Sequence, residues 1–282
     1  MTGDEFDFLC KMLRDRSGLV LTRDKAYLLE SRLLPVARKC GLKSVDELVA
    51  AVRARPSGDL ARDVIEAMTT NESFFFRDIK PFDQFKSFVL PALMKSRAAR
   101  RQIRIWSAAC SSGQEPYTLA MLLAEEQAKL AGWTIDILAT DLSTEILDKA
   151  QAGLYSQFEV QRGLSIQYLV KYFKQQGDRW QIDPGIRNRV RYRIFNLLDE
   201  PASLGGFDVI FCRNVLIYFD QPTKTTVLER LSRVLAPDGF LYLGGAETVL
   251  GISDKFQAST DNRGIYRPAP QPAAQPQRLA AG

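Results

Sequence analysis

Residues 103–117 read IRIWSAACSSGQEPY. A strand is predicted from Ile103 to Cys110, a tight loop of small residues follows it, and Glu115 to Leu130 has the pattern of a helix. Further strands are predicted at Trp133 to Thr140, Val190 to Phe195, Phe207 to Cys212 and Phe240 to Leu243, with helices at Ser143 to Ala150 and Thr223 to Leu235. This alternation predicts an α/β fold with a doubly wound, mostly parallel sheet and helices on both faces.

The regions that flank this α/β pattern differ from it. Residues 1–70 have apolar residues at three-to-four spacing, with breaks at Gly18, Gly41 and Pro56-Ser57-Gly58. They predict an N-terminal all-α domain of about four helices. The α/β domain is then expected to cover residues 71–267.

Two smaller segments complete the predicted organisation. Turn residues around Gly177-Asp178 predict a small β-hairpin subdomain, inserted at about residues 161–190. Residues 268–282 are rich in Pro, Ala and Gln, and we expect a disordered tail there.

The composition excludes several classes of protein. The chain of 282 residues is 46% hydrophobic and contains no histidine, which excludes chemistry that needs a histidine-activated nucleophile. Its four cysteines stand far apart and predict neither a disulfide framework nor a zinc site. Without a signal-peptide pattern or a long apolar segment, we expect a cytoplasmic protein with no membrane insertion. We also expect a monomer without a metal.

The charge is uneven along the chain. The net charge is +5, and residues 71–104 and 161–193 each contain eight Lys or Arg residues. These segments predict basic surfaces or ordinary solvated helix faces. A basic surface attracts nucleic acid and acidic protein alike, so charge alone leaves both partners open.

Candidate binding residues follow the strands, because ligands of open α/β sheets lie at the carboxyl ends of the strands. Asp141 ends the second strand and is suited to ribose hydroxyls, and Glu115 lies in the loop after the first strand. Helix capping is the alternative role for Asp141, and a first-turn dipole interaction is the alternative for Glu115. The chain lacks a G-x-G-x-x-G pattern, which disfavours a dinucleotide and leaves a cofactor without phosphates.

Amide side chains follow two further strands. Asn196-Leu197 and Asn214-Val215 are suited to a purine edge and its faces. A turn or capping role remains the alternative for each asparagine.

Five linked segments resemble the CheR-type chemoreceptor glutamate methyltransferases, in that family's order and spacing. They are residues 71–77 (NESFFFR), 106–117 (WSAACSSGQEPY), 139–143 (ATDLS), 196–197 (NL) and 207–219 (FDVIFCRNVLIYF). The resemblance implies a class I S-adenosylmethionine-dependent methyltransferase that acts on the cytoplasmic domains of methyl-accepting chemoreceptors. S-Adenosylhomocysteine would be the other product.

By motif position, the resemblance implies a set of cofactor contacts. These fall on Asn71, Ser73, Arg77, Glu115, Asp141, Asn196, Leu197, Asn214 and Val215. Ser73 departs from the threonine often found there but keeps the hydroxyl group. The hairpin around Gly177 is shorter than in members that dock on a receptor pentapeptide, which argues against tethered docking.

The chemistry implied by the family suits the composition. A glutamate carboxylate, with a pKa of about 4.3, is ionised at neutral pH and can attack a sulfonium methyl group without a general base. Arg77 and Tyr218 are the candidates for holding the acceptor. A structural ion pair for Arg77 and a half-buried aromatic for Tyr218 are the alternatives.

A basic stripe is predicted on one N-terminal helix, formed by Lys25, Arg32, Arg38 and Lys39. The resemblance implies that this helix faces the receptor. Two rival functions remain: a nucleic-acid methyltransferase, and a cofactor-sensing module without turnover. Residues 213–216 (RNVL) lack the Asp/Asn-Pro-Pro-aromatic pattern common in methylation of base amino groups, so no nucleic acid is expected as partner.

Overall fold

The computed structural model describes residues 1–260 and 262–270. Its helices are α1 (Gly3–Ser17), α2 (Ala26–Lys39), α3 (Val45–Ala54), α4 (Asp59–Met68), α5 (Lys80–Gln84), α6 (Leu90–Ser96), α7 (Gln114–Glu125), α8 (Thr144–Ala152), α9 (Gln157–Gln161), α10 (Ile166–Tyr172), α11 (Pro184–Arg187) and α12 (Gln221–Val234). Its strands are β1 (Gln102–Ala108), β2 (Thr134–Asp141), β3 (Leu154–Ser156), β4 (Phe173–Gln176), β5 (Arg179–Ile182), β6 (Val190–Ile194), β7 (Phe207–Cys212), β8 (Leu235–Leu243), β9 (Phe256–Ala258) and β10 (Ile265–Pro268).

Helices α1 to α4 form the N-terminal bundle, with breaks where the sequence predicts them. Gly18 ends α1 in the left-handed region at φ 76°, and Gly41 also has φ 76°. A Cβ added at Gly18 would lie 2.8 Å from the Phe219 ring, so the bundle packs closely against the α/β domain at this point. Leu142 and Tyr218 of that domain pack onto the hydrophobic core of the bundle.

The main sheet has seven strands in the order β6-β2-β1-β7-β8-β10-β9. The strands from β6 to β8 are parallel, which confirms the predicted mostly parallel α/β class. In β1, Ile103 and Ile105 enter the core on one face, whereas Trp106 and Ala108 enter the core on the other. Both faces are therefore buried, as expected for a doubly wound sheet.

The predicted hairpin is present but belongs to a larger subdomain. Strands β4 and β5 pair antiparallel around Gly177. Strand β3, which precedes the predicted insertion, pairs with β5 and completes a three-stranded sheet. The sequence did not predict β3, because three residues are too few to show a periodic pattern.

The carboxyl-terminal end of the sheet requires a correction. Strands β9 and β10 were not predicted, and both pairings of β10 are antiparallel. The tail predicted from residue 268 begins too early, because Pro268 pairs with Phe256 and Ala269 donates to the Lys255 carbonyl at 2.8 Å. The rest of the predicted tail, residues 271–282, lies outside the described residues. Across residues 1–260 and 262–270, no helix has the length and apolarity needed to cross a membrane.

Candidate functional site

A cleft of about 980 Å³, including its open mouth, lies at the carboxyl ends of β1, β2, β6 and β7. The chain reverses its strand order between β1 and β7, and this is where ligands bind in open α/β sheets. The cleft brings together every residue predicted to contact the cofactor or the acceptor: Asn71, Ser73, Arg77, Glu115, Asp141, Asn196, Leu197, Asn214, Val215 and Tyr218.

Backbone strain is concentrated around this cleft. Among the described residues, seven positions other than glycine have positive φ: Phe76, Asp78, Ile79, Arg101, Ala109, Ser111 and Asn214. The last three of these line the cleft, and the first three flank Arg77. Strained backbone persists where the surroundings enforce it, and it is common at ligand sites.

Asp141 is held firmly at the end of β2. Its Oδ2 accepts from the Ser111 N–H at 2.8 Å, and its Oδ1 accepts from the Ser143 N–H at 3.1 Å. The N-cap of α8 is Ser143, so the capping alternative does not apply to Asp141. Burial raises the pKa of the Asp141 carboxyl, whereas hydrogen bonds from the Ser143, Ser111 and Leu142 N–H groups oppose that rise. The carboxylate is thus oriented while keeping acceptor capacity for a ligand.

Glu115 forms an ion pair with Arg213, a site residue that the sequence analysis did not select. Arg213 Nη1 lies 2.9 Å from Glu115 Oε2, and the Ser107 hydroxyl donates to Oε1 at 2.8 Å. Arg213 also donates to the Arg77 carbonyl at 2.9 Å and to Asp78 at 2.7 Å. Its side chain is 2% exposed. The sequence signal that could have identified Arg213 is its position directly after the apolar strand Phe207–Cys212.

Arg77 reaches the cleft from the connector between α4 and α5. Its Nη1 donates to the Glu72 carbonyl at 2.8 Å, and its guanidinium lies 5.5 Å from the centre of the Phe74 ring. Within the described residues it forms no ion pair, so the structure does not support the structural ion-pair alternative. Several of its N–H donors remain for a ligand.

Asn71 and Ser73 belong to the same connector and are half-buried. The Asn71 carbonyl accepts from the Ser111 hydroxyl at 2.8 Å, and its side chain donates to Thr69 Oγ1 at 3.2 Å. These contacts fasten the connector to the loop after β1. Both residues line the cleft, and their cofactor contacts remain predictions.

The two predicted purine-facing asparagines differ. The Asn196 amide donates to the Arg16 carbonyl at 2.7 Å, and its oxygen accepts from the Leu198 N–H at 3.0 Å, so the turn role applies to it. Asn214 has φ 59°, and in the described part of the chain its side chain forms no hydrogen bond. Asn214 is therefore the freer of the two amides.

The helical domain supplies one wall of the cleft through Ser17, Leu19, Thr69 and Thr70. The predicted basic stripe is wrong at Arg32, whose side chain is engaged within the protein. Arg32 donates to the carbonyls of Met68 at 2.8 Å and Thr69 at 3.1 Å, and to Thr70 Oγ1 at 3.3 Å.

Arg32 therefore stabilises the end of α4 and the start of the connector, because a cation suits the free carbonyls at a helix C-terminus. Lys25, Arg38 and Lys39 remain exposed. Of these three, only Arg38 and Lys39 lie on α2, because Lys25 precedes its first residue.

Comparison with known proteins gives a consistent result. The family model described as CheR methyltransferase, SAM binding domain matches residues 71–265, and the one described as CheR methyltransferase, all-alpha domain matches residues 4–69. Chemotaxis protein methyltransferase Cher2 of Pseudomonas putida is 43% identical over 269 residues, covering 94% of this chain and 98% of that protein. Chemotaxis protein methyltransferase 1 of Pseudomonas aeruginosa is 44% identical, covering 93% and 97%.

Proposed function

The chain belongs to the CheR methyltransferase family, and we propose that it forms glutamyl methyl esters on the cytoplasmic domains of bacterial chemoreceptors. The family matches confirm the predicted resemblance and the prediction of an S-adenosylmethionine-dependent methyltransferase. The glutamate acceptor, the receptor partner and the roles of individual residues are the proposal.

The cleft fits the cofactor that the family domain binds. Asp141 offers an oriented carboxylate for hydroxyl groups, and Leu197 and Val215 offer apolar surface beside the Asn214 amide. Ala109 and Ser111 have positive φ and draw the loop after β1 into the cleft wall. S-Adenosylmethionine supplies an electrophilic methyl group on a sulfonium sulfur.

Arg77 and Tyr218 are suited to orienting a carboxylate acceptor. Arg77 uses one donor on Glu72 and keeps others for the acceptor oxygens, which a bidentate contact would align. Tyr218 lines the same cleft, and its carbonyl accepts from the Val20 N–H at 3.0 Å, which joins the two domains at this point. The acceptor carboxylate is already ionised and needs no general base. The enzyme therefore accelerates methyl transfer by orienting the acceptor and excluding water.

The observation that carries the proposal is that Arg77 and Tyr218 share one cleft with the predicted cofactor residues in a chain without histidine. The test is incubation with radiolabelled S-adenosylmethionine and receptor cytoplasmic fragments. Label should be released as methanol by mild alkali, since glutamyl methyl esters are base-labile. Fragments with alanine at the candidate glutamates are the control. Alkali-stable label would contradict the carboxylate acceptor.

A nucleic-acid substrate is the alternative, and the ion pairs of segment 161–193 argue against it. Several basic residues of segment 161–193 are paired within the protein: Arg162 with Glu72, Lys171 with Glu125 and Arg191 with Asp136. These pairs lower the positive charge that a phosphate backbone would meet. Steeply salt-dependent binding to RNA or DNA would favour this alternative.

A further inference from the structure

The turn that follows β8 contains Gly244 and Glu247, which do not line the cleft. It is hydrogen-bonded to the loop after β7, which does line the cleft. Glu247 Oε2 accepts from the N–H groups of Gly244 at 2.6 Å and Asn214 at 2.8 Å. Its Oε1 accepts from the N–H groups of Val215 at 2.9 Å and Ile217 at 3.3 Å. One carboxylate therefore joins the loops at the carboxyl ends of β7 and β8.

Gly244 completes this arrangement because it leaves room for two side chains. A Cβ at Gly244 would lie 2.7 Å from Asn214 Nδ2 and 2.8 Å from Glu247 Oε2. Neither distance is compatible with a normal contact, so an added methyl group would displace the Asn214 amide or the carboxylate. The next glycine, Gly245, has no atom within 4 Å of an added Cβ.

We propose that Glu247 and Gly244 are positioning residues for the S-adenosylmethionine site. They act through Asn214 and Val215, and the inference rests on the proposed cofactor contacts of those two residues. Asn214 has φ 59°, a conformation that L-residues adopt at a cost and that needs external support. Glu247 supplies that support by binding the N–H groups of Asn214 and Val215 in one geometry.

The chemistry of the carboxylate explains why glutamate is needed here. An ionised carboxylate only accepts hydrogen bonds, and its two oxygens together satisfy four N–H groups. A glutamine would turn an NH₂ group towards two of these N–H groups, and they would lose their acceptor. The loop would then relax away from φ 59° at Asn214, and the cofactor wall would shift.

The test compares full-length wild type with Glu247→Gln, Gly244→Ala and Gly245→Ala by isothermal titration with S-adenosylhomocysteine. Glu247→Gln and Gly244→Ala should each raise the Kd by about tenfold or more, as expected when the half-buried hydrogen bonds that hold the binding loop are lost or displaced. Gly245→Ala should change the Kd by less than about twofold, because its methyl group meets open space. With receptor fragments, KM for S-adenosylmethionine should rise by a larger factor than kcat falls.

A wild-type Kd in folded Glu247→Gln and Gly244→Ala would overturn the inference, even if both variants melt at a lower temperature. If Glu247→Gln does not fold, Gly244→Ala decides the matter, because it keeps the carboxylate. The proposed function fails separately: a wild-type protein that binds S-adenosylhomocysteine but transfers no alkali-labile methyl group would contradict the acceptor and not the positioning role.

Discussion

Arg213 and Glu115 form a largely buried ion pair, with 2.9 Å between Nη1 of the arginine and Oε2 of the glutamate. The same guanidinium binds Asp78 and the Arg77 carbonyl, so it links the start of α7 to the connector that carries Arg77. The pair compensates the charge of Glu115 in the wall of the cleft that we propose as the S-adenosylmethionine site.

Removing one partner of the Arg213–Glu115 pair should destabilise the folded protein. Arg213→Gln should lower the free energy of unfolding by about 3 kcal/mol, because Glu115 is left largely buried without its ion-pair partner. Urea denaturation measures the change. Lys11→Met is the control, since the Lys11–Asp15 pair is exposed and should contribute less than about 1 kcal/mol. Equal losses in the two variants would contradict the assignment.

Asp141→Asn should weaken S-adenosylmethionine binding by about 1–3 kcal/mol, since charge-assisted hydrogen bonds are lost. Isothermal titration measures the affinity. Asp148→Asn, on the exposed face of α8, is the control and should bind as wild type. If Asp141→Asn is folded and binds normally, Asp141 only organises the Ser111 and Ser143 N–H groups.

The affinity should also depend on pH. Burial raises the pKa of Asp141, so protonation begins closer to neutrality than for an exposed aspartate. If Asp141 accepts hydrogen bonds from the cofactor as proposed, binding requires the ionised form of its carboxyl group. Affinity should therefore fall as the pH is lowered from 7 through the raised pKa, and recover as the pH rises. Titrations across this range should show the fall in wild type and not in Asp141→Asn. A flat wild-type profile would contradict the role of the carboxylate.

Strand β7, at the centre of the main sheet, could be predicted because burial on both faces produces a nearly continuous apolar run. Phe207 to Cys212 is buried at every position, and its boundaries are predicted correctly. Strand β9, Phe256–Ala258, has one buried and two exposed residues, which gives no recognisable pattern. Its pairing with β10 depends on contacts that arise only after the sheet has formed.

The site residues show the same limit. Polar residues after each strand predict which side chains meet, because the carboxyl ends of parallel strands share one edge. The hydrogen-bond partners of these side chains could not be predicted. Asn196 donates to the carbonyl of Arg16, 180 positions away, and Arg32 donates to the carbonyl of Met68, 36 positions away. Such contacts depend on how the helical domain packs, and residue type and local spacing carry no information about it.

Tyr218→Phe should separate acceptor orientation from cofactor binding. Loss of the hydroxyl group should lower kcat by about 10- to 100-fold while the Kd for S-adenosylhomocysteine stays within about twofold, because the ring still fills the cleft wall. Methylation of receptor fragments measures kcat. Tyr27→Phe is the control, since Tyr27 is 66% exposed on α2. An unchanged kcat would leave Tyr218 as a packing residue only.

The exposed members of the basic stripe allow receptor binding to be tested apart from the cofactor site. Arg38→Glu combined with Lys39→Glu should slow receptor methylation strongly without changing S-adenosylmethionine affinity, because both side chains are exposed on α2. Wild-type methylation should slow as salt rises. Arg32→Gln should behave differently, since Arg32 holds the Met68 and Thr69 carbonyls beside the cleft: it should weaken cofactor binding itself. Equal methylation by wild type and the double variant at low salt would move receptor recognition to segment 161–193.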